Sequence, residues 1–342
     1  LTTYCEYYKI FVYLIALCSI YLMHKIYHTL QLPIIYEQIV LSLTLLSPFW
    51  FLEIFAKGQV DFLANFLFLI AIYYFLQQKY LPASFWIGCS IVIKPFALLF
   101  FIPAILLLLF QEKLNIIKYL IAVAVCPAIE FVISHTFFEH YAYYQKVAEK
   151  LVSKNMNFYF YDNIFYISVA NISIFILFVF FICFACFYLS EHQLVSKKHF
   201  VFFPALLFLS MFLFLNIHGQ WFIYLLFPLL MLAVSCMNLL DLCALQFVFS
   251  SSFILHYLAV NSNLSAATIF RTTSFSSLIT NIPNIIILSQ TVSAAAAIIL
   301  LLLLGICIKR QHITSSYPIP TNFFIGLNAA LPIIYFTCCI IF

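Results

Sequence analysis

Three short polar stretches interrupt an otherwise hydrocarbon-like chain, and they hold the residues that could do chemistry. The first is residues 57–61, where a lysine, an amide and a carboxylate fall within five positions. The second is Lys94-Pro95, which lies within an apolar run, and the third is residues 216–221, a turn that contains a histidine. Charged groups among apolar spans are costly and indicate function by default. These residue types suit the binding of hydroxyl groups and of an anion.

Each stretch also has a structural interpretation. Asp61 is an ordinary helix N-cap, a residue that accepts amide hydrogen bonds of the first turn, and Gln59 with Asp61 could instead present polar groups to a sugar or phosphate. Lys94 could extend to an interface or bind a phosphate as a point charge. His218 is a tolerated polar turn residue or, with Gln220, a ligand for hydroxyls or a pyrophosphate. The residues alone leave these alternatives open.

Composition determines the class of protein. The chain has 342 residues, of which 66% are hydrophobic and 8% are charged, whereas soluble domains carry roughly a quarter charged residues. Its apolar segments are about twenty residues long, which matches a bilayer core of about 30 Å. The net charge of +4 forms no basic stripe with interleaved aromatic residues, so nucleic acid is not an expected partner. The eleven cysteines lie mostly in apolar runs, where they are typical of small buried hydrophobes.

The expected fold is all-α: a polytopic integral membrane bundle of about eleven hydrophobic helices, forming a single transmembrane domain over residues 1–342. The predicted spans are 10–30, 34–56, 61–76, 82–110, 117–134, 164–189, 200–217, 221–240, 243–262, 284–308 and 322–342. Residues 135–163 are predicted to form a long polar loop that is rich in aromatic rings.

Short basic loops predict orientation, because loops rich in lysine and arginine face the cytoplasm. Such loops contain Lys79, Lys113 with Lys118, Lys197-Lys198 and Lys309-Arg310. All four share one side only if residues 82–110 enter and return on the same side. The break at Lys94-Pro95 allows this, since proline disfavours helix at the preceding residue. The two halves are predicted as short helices of roughly 12 and 16 residues, about 18 and 24 Å long.

With this topology, the four polar features fall on the non-cytoplasmic face: residues 57–61, Lys94, the loop 135–163 and the turn 216–221. The acids Glu53 and Glu130 lie inside predicted spans, and we expect both to have structural roles. The sequence therefore predicts one polar face at which a site could form.

Residues 57–103 resemble the type-C (GT-C) membrane glycosyltransferases, especially those that depend on polyprenyl- or dolichyl-phosphate mannose. The family commonly shows a GQxD element, a helix, a short basic loop, a glycine-containing helix, then KP and a later proline. The matching positions are Gly58, Gln59, Asp61, Lys79, Gly88, Lys94, Pro95 and Pro103. Asn163-Ile164-Phe165, which in the family opens a helix, and the turn from Ile217 to Trp221 followed by Phe227-Pro228-Leu229 extend the similarity to roughly residues 30–240.

The resemblance implies transfer of a hexose, most simply mannose, from a lipid-linked monophosphate to a glycan or glycolipid acceptor at the non-cytoplasmic face of a bacterial inner membrane or of the endoplasmic reticulum. Asp61 is the catalytic candidate. The candidates for substrate binding are Lys57, Gln59, Lys94, His218 and Gln220, with Lys94 assigned to the phosphate. No cofactor or metal is expected, because a lipid phosphate can leave without one; the expected partners are membrane lipid, the donor and the acceptor.

The chain departs from the family pattern at several positions. Lys57 stands where the family often has tryptophan, and Gly219 stands where it often has glutamate. The family's catalytic acid usually lies in a first outer loop; here Glu6 is its possible remnant, so we expect an N-terminally truncated member. A secondary transporter or flippase, and a non-catalytic membrane subunit, are the alternative functions.

Overall fold

The computed structural model describes residues 2–45, 61–94, 97–138, 166–167, 172–196 and 199–214, together with 243, 246–248, 250–251, 295 and 330. This part of the chain is helical except for one pair of two-residue strands, so the predicted helical class is confirmed for it. The count of about eleven helices and the polytopic bundle stay predictions. The elements are α1 (Thr2–Thr29), α2 (Ile34–Leu45), α3 (Asp61–Leu76), α4 (Tyr80–Ile93), α5 (Ala97–Leu108), α6 (Ile116–Phe138), β1 (Tyr166–Ile167), β2 (Ile172–Ser173), α7 (Ile174–Glu191) and α8 (His199–Phe214).

Two of the described helices are long and apolar enough to cross a membrane, over Ile10–Thr29 in α1 and Ile116–Ile133 in α6. Only 17% of the α6 span is buried, whereas the core helix of a soluble protein is mostly buried. Large apolar side chains on α6 and α7 face outwards, among them Ile117, Phe131 and Phe180, each at least 67% exposed. Exposed apolar surface of this kind marks contact with protein or lipid.

The chain forms two compact units, residues 1–62 with 218–342, and residues 63–217. The prediction of a single transmembrane domain stays a prediction, because most of the first unit lies outside the described residues. Within that unit α1 and α2 form a helical hairpin. Gln31 in the turn has a φ of 57°, a left-handed conformation that lets the chain reverse after a helix C-terminus.

In the second unit α3 and α4 run antiparallel. Near the start of α3 and the end of α4, the Ser90 hydroxyl donates a hydrogen bond to the Ala64 carbonyl at 2.8 Å. At the other end the rings of Phe75 and Tyr80 lie 5.9 Å apart. We call these two ends of the unit the Lys94 end and the Lys79 end, after the residues at the two termini of α4.

The predicted break at Lys94 is confirmed, because α4 ends at Ile93 and α5 begins at Ala97. The two helices have 14 and 12 residues, about 21 and 18 Å, and each is short for a full crossing. The chain also reverses there. Glu112, which follows α5, accepts a hydrogen bond from the Tyr119 hydroxyl at 3.2 Å, and the Tyr119 ring lies 6.0 Å from that of Tyr80, the first residue of α4.

The remaining helices alternate in direction between the same two ends. At the Lys79 end, α7 finishes where the Ser190 hydroxyl donates to the Leu107 carbonyl at 2.9 Å. Helix α8 starts there and runs towards the Lys94 end, since Phe200 stacks on Phe75 and Phe208 contacts Phe68. Helix α6 leaves the Lys79 end and α7 returns to it, so the segment joining them begins and ends towards the Lys94 end. Lys79, Lys113 and Lys118 therefore share one end, as predicted.

The core between α3, α5 and α8 is aromatic. Phe68, Phe75, Phe100 and Phe208 are each at most 2% exposed. Phe100 meets Phe68 and Phe75 edge to face, with ring centroids 4.9 and 5.4 Å apart. This arrangement favours the ring quadrupoles beyond simple burial. Through Phe68, α3 packs against α5 and α8.

Three expected boundaries were wrong. Residues 2–9, expected to be the remnant of an outer loop, belong to α1. The loop expected from His135 begins later, because α6 continues through Phe138; Phe137 and Phe138 extend the apolar character, and two polar residues do not interrupt backbone hydrogen bonding. The helix expected from residue 164 begins at Ile174.

Before α7, the chain forms a short antiparallel pair in which Tyr166 faces Ser173 and Ile167 faces Ile172. Tyrosine and β-branched residues favour strands over helices. The proposed helix-opening role of Asn163-Ile164-Phe165 is therefore wrong, since strand β1 follows directly.

Candidate functional site

Lys94 lies in extended backbone between two apolar helices. Its φ and ψ are −149° and 128°, and its N–H donates to the Ser90 carbonyl at 2.9 Å. Its side chain is half-buried. Pro95 and Phe96 lie outside the described residues. A lysine at a helix break is a suitable point charge for a phosphate.

Other polar groups accompany Lys94 at the same end. Ser90 is fully buried, and its hydroxyl donates a hydrogen bond to the Ala64 carbonyl. Asn65, the next residue of α3, is also fully buried. Neither its amide oxygen nor its amide nitrogen has a hydrogen-bond partner among the residues that the structure describes. Buried polar groups are nearly always paired in native proteins, so Asn65 calls for an explanation.

At the Lys79 end, several polar groups of the described residues pair with one another. Glu112 Oε2 accepts from the Asn115 amide at 2.8 Å and from the Tyr119 hydroxyl at 3.2 Å. Lys118 Nζ donates to Asn115 Oδ1 at 3.1 Å, and Ser190 both donates to Leu107 and accepts from the Phe110 N–H. This network ties the loop after α5 to α6 and α7, and it explains these groups without a ligand.

Close packing joins α4 to α6. A Cβ built on Gly88 would lie 2.3 Å from the Val123 carbonyl oxygen, so only glycine permits this approach. Close helix contact through a small residue is typical of membrane proteins. One residue later the thiol sulfurs of Cys89 and Cys126 are 3.3 Å apart, and both cysteines are free. The glycine that matches the family pattern therefore positions α4 and the Lys94 break that follows it.

The α1–α2 hairpin of the first unit carries a second polar group of residues. Glu37 is 6% exposed, and its carboxylate is paired with His24 Nδ1. The Tyr27 hydroxyl is buried and has no hydrogen-bond partner among the described residues. Both partners lie within the apolar hairpin, and ionisable residues in such helices are candidates for ion or proton pathways.

The predicted site residues are only partly described. Asp61 is the first residue of α3, and Lys94 ends α4. Lys57, Gln59, His218 and Gln220 lie outside the described residues, so whether they join Lys94 stays a prediction. Among the described helices, α3 starts and α8 ends at the Lys94 end.

Sequence reasoning missed Asn65, Ser90 and the His24–Glu37 pair. An asparagine four residues after Asp61, inside an apolar helix, was a visible signal of a buried amide. Glu37 gave a similar signal, as an acid one turn into a predicted span. The intramembrane acids considered from the sequence were Glu53 and Glu130. Glu130 is exposed on α6, and Glu53 lies outside the described residues.

No three His, Cys, Asp or Glu side chains come together to form a metal site within the described ranges, and the expectation of a metal-free reaction stays a prediction. No protein-family model, curated protein or solved structure matches this chain significantly. The family resemblance thus rests on the order and spacing of its motif residues.

Proposed function

We propose that the protein is a multi-pass membrane hexosyltransferase that uses a polyprenyl-phosphate-linked sugar, with mannose as the first donor to test. One observation carries the proposal: the start of α3, the break at Lys94 and the end of α8 all lie at the Lys94 end. In the sequence, these three points are next to the polar stretches 57–61, Lys94-Pro95 and 216–221. The motif order over residues 57–103 supplies the chemical class, and the outward apolar faces of α6 and α7 support a lipid environment.

The proposed reaction is a displacement at the anomeric carbon. An acceptor hydroxyl forms the new bond to this carbon, while the bond from the carbon to the phosphate oxygen breaks. The electron pair leaves with the polyprenyl monophosphate, and the acceptor proton passes to a carboxylate, for which Asp61 is the candidate. Positive charge builds on the sugar ring in the transition state, as it does in glycoside hydrolysis.

Lys94 would stabilise the leaving phosphate. Charge that increases in the transition state is stabilised best by a group already held in place. The extended backbone at Lys94 and the hydrogen bond from its N–H to Ser90 hold that residue at the end of α4. Gln59, Lys57, His218 and Gln220 are the proposed contacts to sugar and acceptor.

The test is sugar transfer in membranes that contain the full chain, with a radiolabelled polyprenyl-phosphate mannose as donor. We expect Asp61→Ala to lower turnover by orders of magnitude at equal protein level, because the acceptor proton then has no carboxylate to receive it. The matched control is Glu191→Ala, which removes an exposed acid at the Lys79 end and should leave turnover unchanged. Full activity of Asp61→Ala would refute its catalytic assignment.

A secondary transporter is the second candidate function, favoured by the buried carboxylate of Glu37, which is paired with the exposed His24. An acid inside an apolar hairpin can carry a proton or accept a cation, which sugar transfer does not require. The discriminating measurement is proton-coupled uptake into liposomes that contain the purified protein. Uptake abolished by Glu37→Gln, without sugar transfer, would favour the transporter over the transferase.

A further inference from the structure

The amide of Asn65 is the buried polar group that the second unit leaves unexplained. The side chain is fully buried in α3, yet both its oxygen and its nitrogen are without a hydrogen-bond partner in the part of the chain that the structure describes. Leaving such groups unpaired opposes folding. A natural protein keeps such a residue where a ligand or an ordered water completes its bonds.

The position of Asn65 favours a ligand that enters from the Lys94 end. The carbonyl of the preceding residue, Ala64, accepts a hydrogen bond from the Ser90 hydroxyl. The backbone carbonyl of Ser90 accepts a separate hydrogen bond from the Lys94 N–H. Asn65 is four residues from the first residue of α3, or about 6 Å along the axis. On the other side, Phe68 contacts Phe100 and Phe208. Asn65 therefore lies between the start of α3 and the aromatic contacts of Phe68.

The hydrogen-bonding groups of the Asn65 side chain limit the class of ligand that it can bind. An amide offers two donors and an acceptor and carries no charge. A phosphate would use the donors alone, and an acyl chain would use neither group. A hydroxyl both donates and accepts, so adjacent sugar hydroxyls can satisfy the oxygen and the nitrogen together.

We propose that Asn65 binds hydroxyl groups of the donor hexose and determines which sugar is accepted. This inference rests on the proposed function and extends it, because it separates sugar recognition by Asn65 from phosphate recognition by Lys94. It also predicts that the hexose, when bound, reaches one turn below the start of α3, against the edge of the aromatic core.

The experiment compares Asn65→Leu with the unmodified full chain, using polyprenyl-phosphate donors that carry mannose, glucose or mannose lacking single hydroxyls. Leucine has the same branched shape and number of heavy atoms but cannot hydrogen-bond. We expect the KM for the mannose donor to rise about tenfold to a hundredfold, as two lost hydrogen bonds imply. Preference between mannose and its deoxy analogues should fall by a similar factor. Inhibition by free polyprenyl phosphate should stay unchanged, because that molecule has no sugar.

Ser84→Ala is the matched control. Ser84 is also fully buried in the unit, but its hydroxyl is satisfied by the Tyr80 carbonyl within the same helix. This variant should keep the donor preference of the unmodified protein. If Asn65→Leu does not fold, Asn65→Ser provides the same comparison with a smaller polar side chain.

The outcomes are distinguishable. Transfer by the unmodified chain with an unchanged KM and donor preference in the Asn65 variant would overturn this inference alone and assign the amide to a buried water. If Asn65→Leu weakens the binding of the donor and of free polyprenyl phosphate equally, this inference is overturned as well. The amide would then act on the phosphate or on the fold. Absence of transfer from every hexose donor would overturn the proposed function and this inference together.

Discussion

The two ends of the second unit are built from the same helices, but among the described residues only the Lys94 end has a buried side chain without a hydrogen-bond partner. At the Lys79 end Glu112 accepts from Asn115 and Tyr119, and Ser190 connects α7 to the chain after α5. At the Lys94 end Asn65 is buried without a partner among the described residues, and a lysine stands at a helix break. Paired groups hold a structure together, whereas unpaired buried groups indicate a place for a ligand. We interpret the Lys79 end as structural and propose the Lys94 end as the functional one.

The largest expected effect comes from replacing, one at a time, the lysines after which the two ends are named. Lys94→Ala should lower turnover by orders of magnitude, because a preorganised charge at a leaving group commonly contributes 10²–10³ in rate. Lys79→Ala should leave turnover within about twofold, since exposed surface charges contribute little. The measurement is sugar transfer in membranes at matched protein levels.

A similar loss in both lysine variants would contradict the functional difference between the ends. It would show that lysine acts through folding or insertion, which a comparison of protein yield and thermal stability in detergent would confirm. Activity retained by both would remove Lys94 from the site.

The sequence predicted the features that depend on local chemistry. The break at Lys94-Pro95 followed from proline, and the common end of Lys79, Lys113 and Lys118 followed from the rule that short basic loops share one side. The helix α3 was predicted with its observed bounds, Asp61–Leu76, because a polar stretch precedes it and Gln77-Gln78-Lys79 follows it. Such boundaries are set by residues next to each other in the chain.

The features that the sequence did not predict depend on tertiary contacts. The pairing of Glu37 with His24 joins residues 13 positions apart. The lack of a hydrogen-bond partner for Asn65 among the described residues depends on the helices packed around it. The strand pair before α7 replaced an expected helix, because Tyr166-Ile167 finds a partner in Ile172-Ser173. The roles of Lys57, Gln59, His218 and Gln220 are open to test through the transfer assay.

A change at Gly88 tests whether the functional end depends on the packing of α4. Gly88→Ala adds a methyl group that would lie 2.3 Å from the Val123 carbonyl oxygen. The helices must separate, and overpacking of this kind costs ~1–3 kcal/mol, although alanine is the better helix former by ~1 kcal/mol. We expect a lower melting temperature in detergent and a partial loss of transfer, since Lys94 lies at the end of the displaced helix.

The control for Gly88 is Val92→Ala, one turn later on the same helix, where the side chain is 39% exposed. It should change stability by less than ~1 kcal/mol, because surface substitutions have small effects. A Gly88→Ala protein as stable as the unmodified chain would contradict the close approach of α4 and α6.

The smallest expected effect lies at the Lys79 end and tests its structural assignment. Glu112→Ala removes the acceptor used by Asn115 and Tyr119, so unfolding should become easier by ~1–2 kcal/mol. The KM for the donor should not move, because the network lies at the end away from Lys94. Gln111→Ala, at the exposed neighbouring position, should leave both stability and KM unchanged. Thermal unfolding in detergent and donor titrations measure the two quantities on the same samples. A raised KM in Glu112→Ala at full stability would mean that the substrate reaches the Lys79 end, and the division between a structural and a functional end would then be wrong.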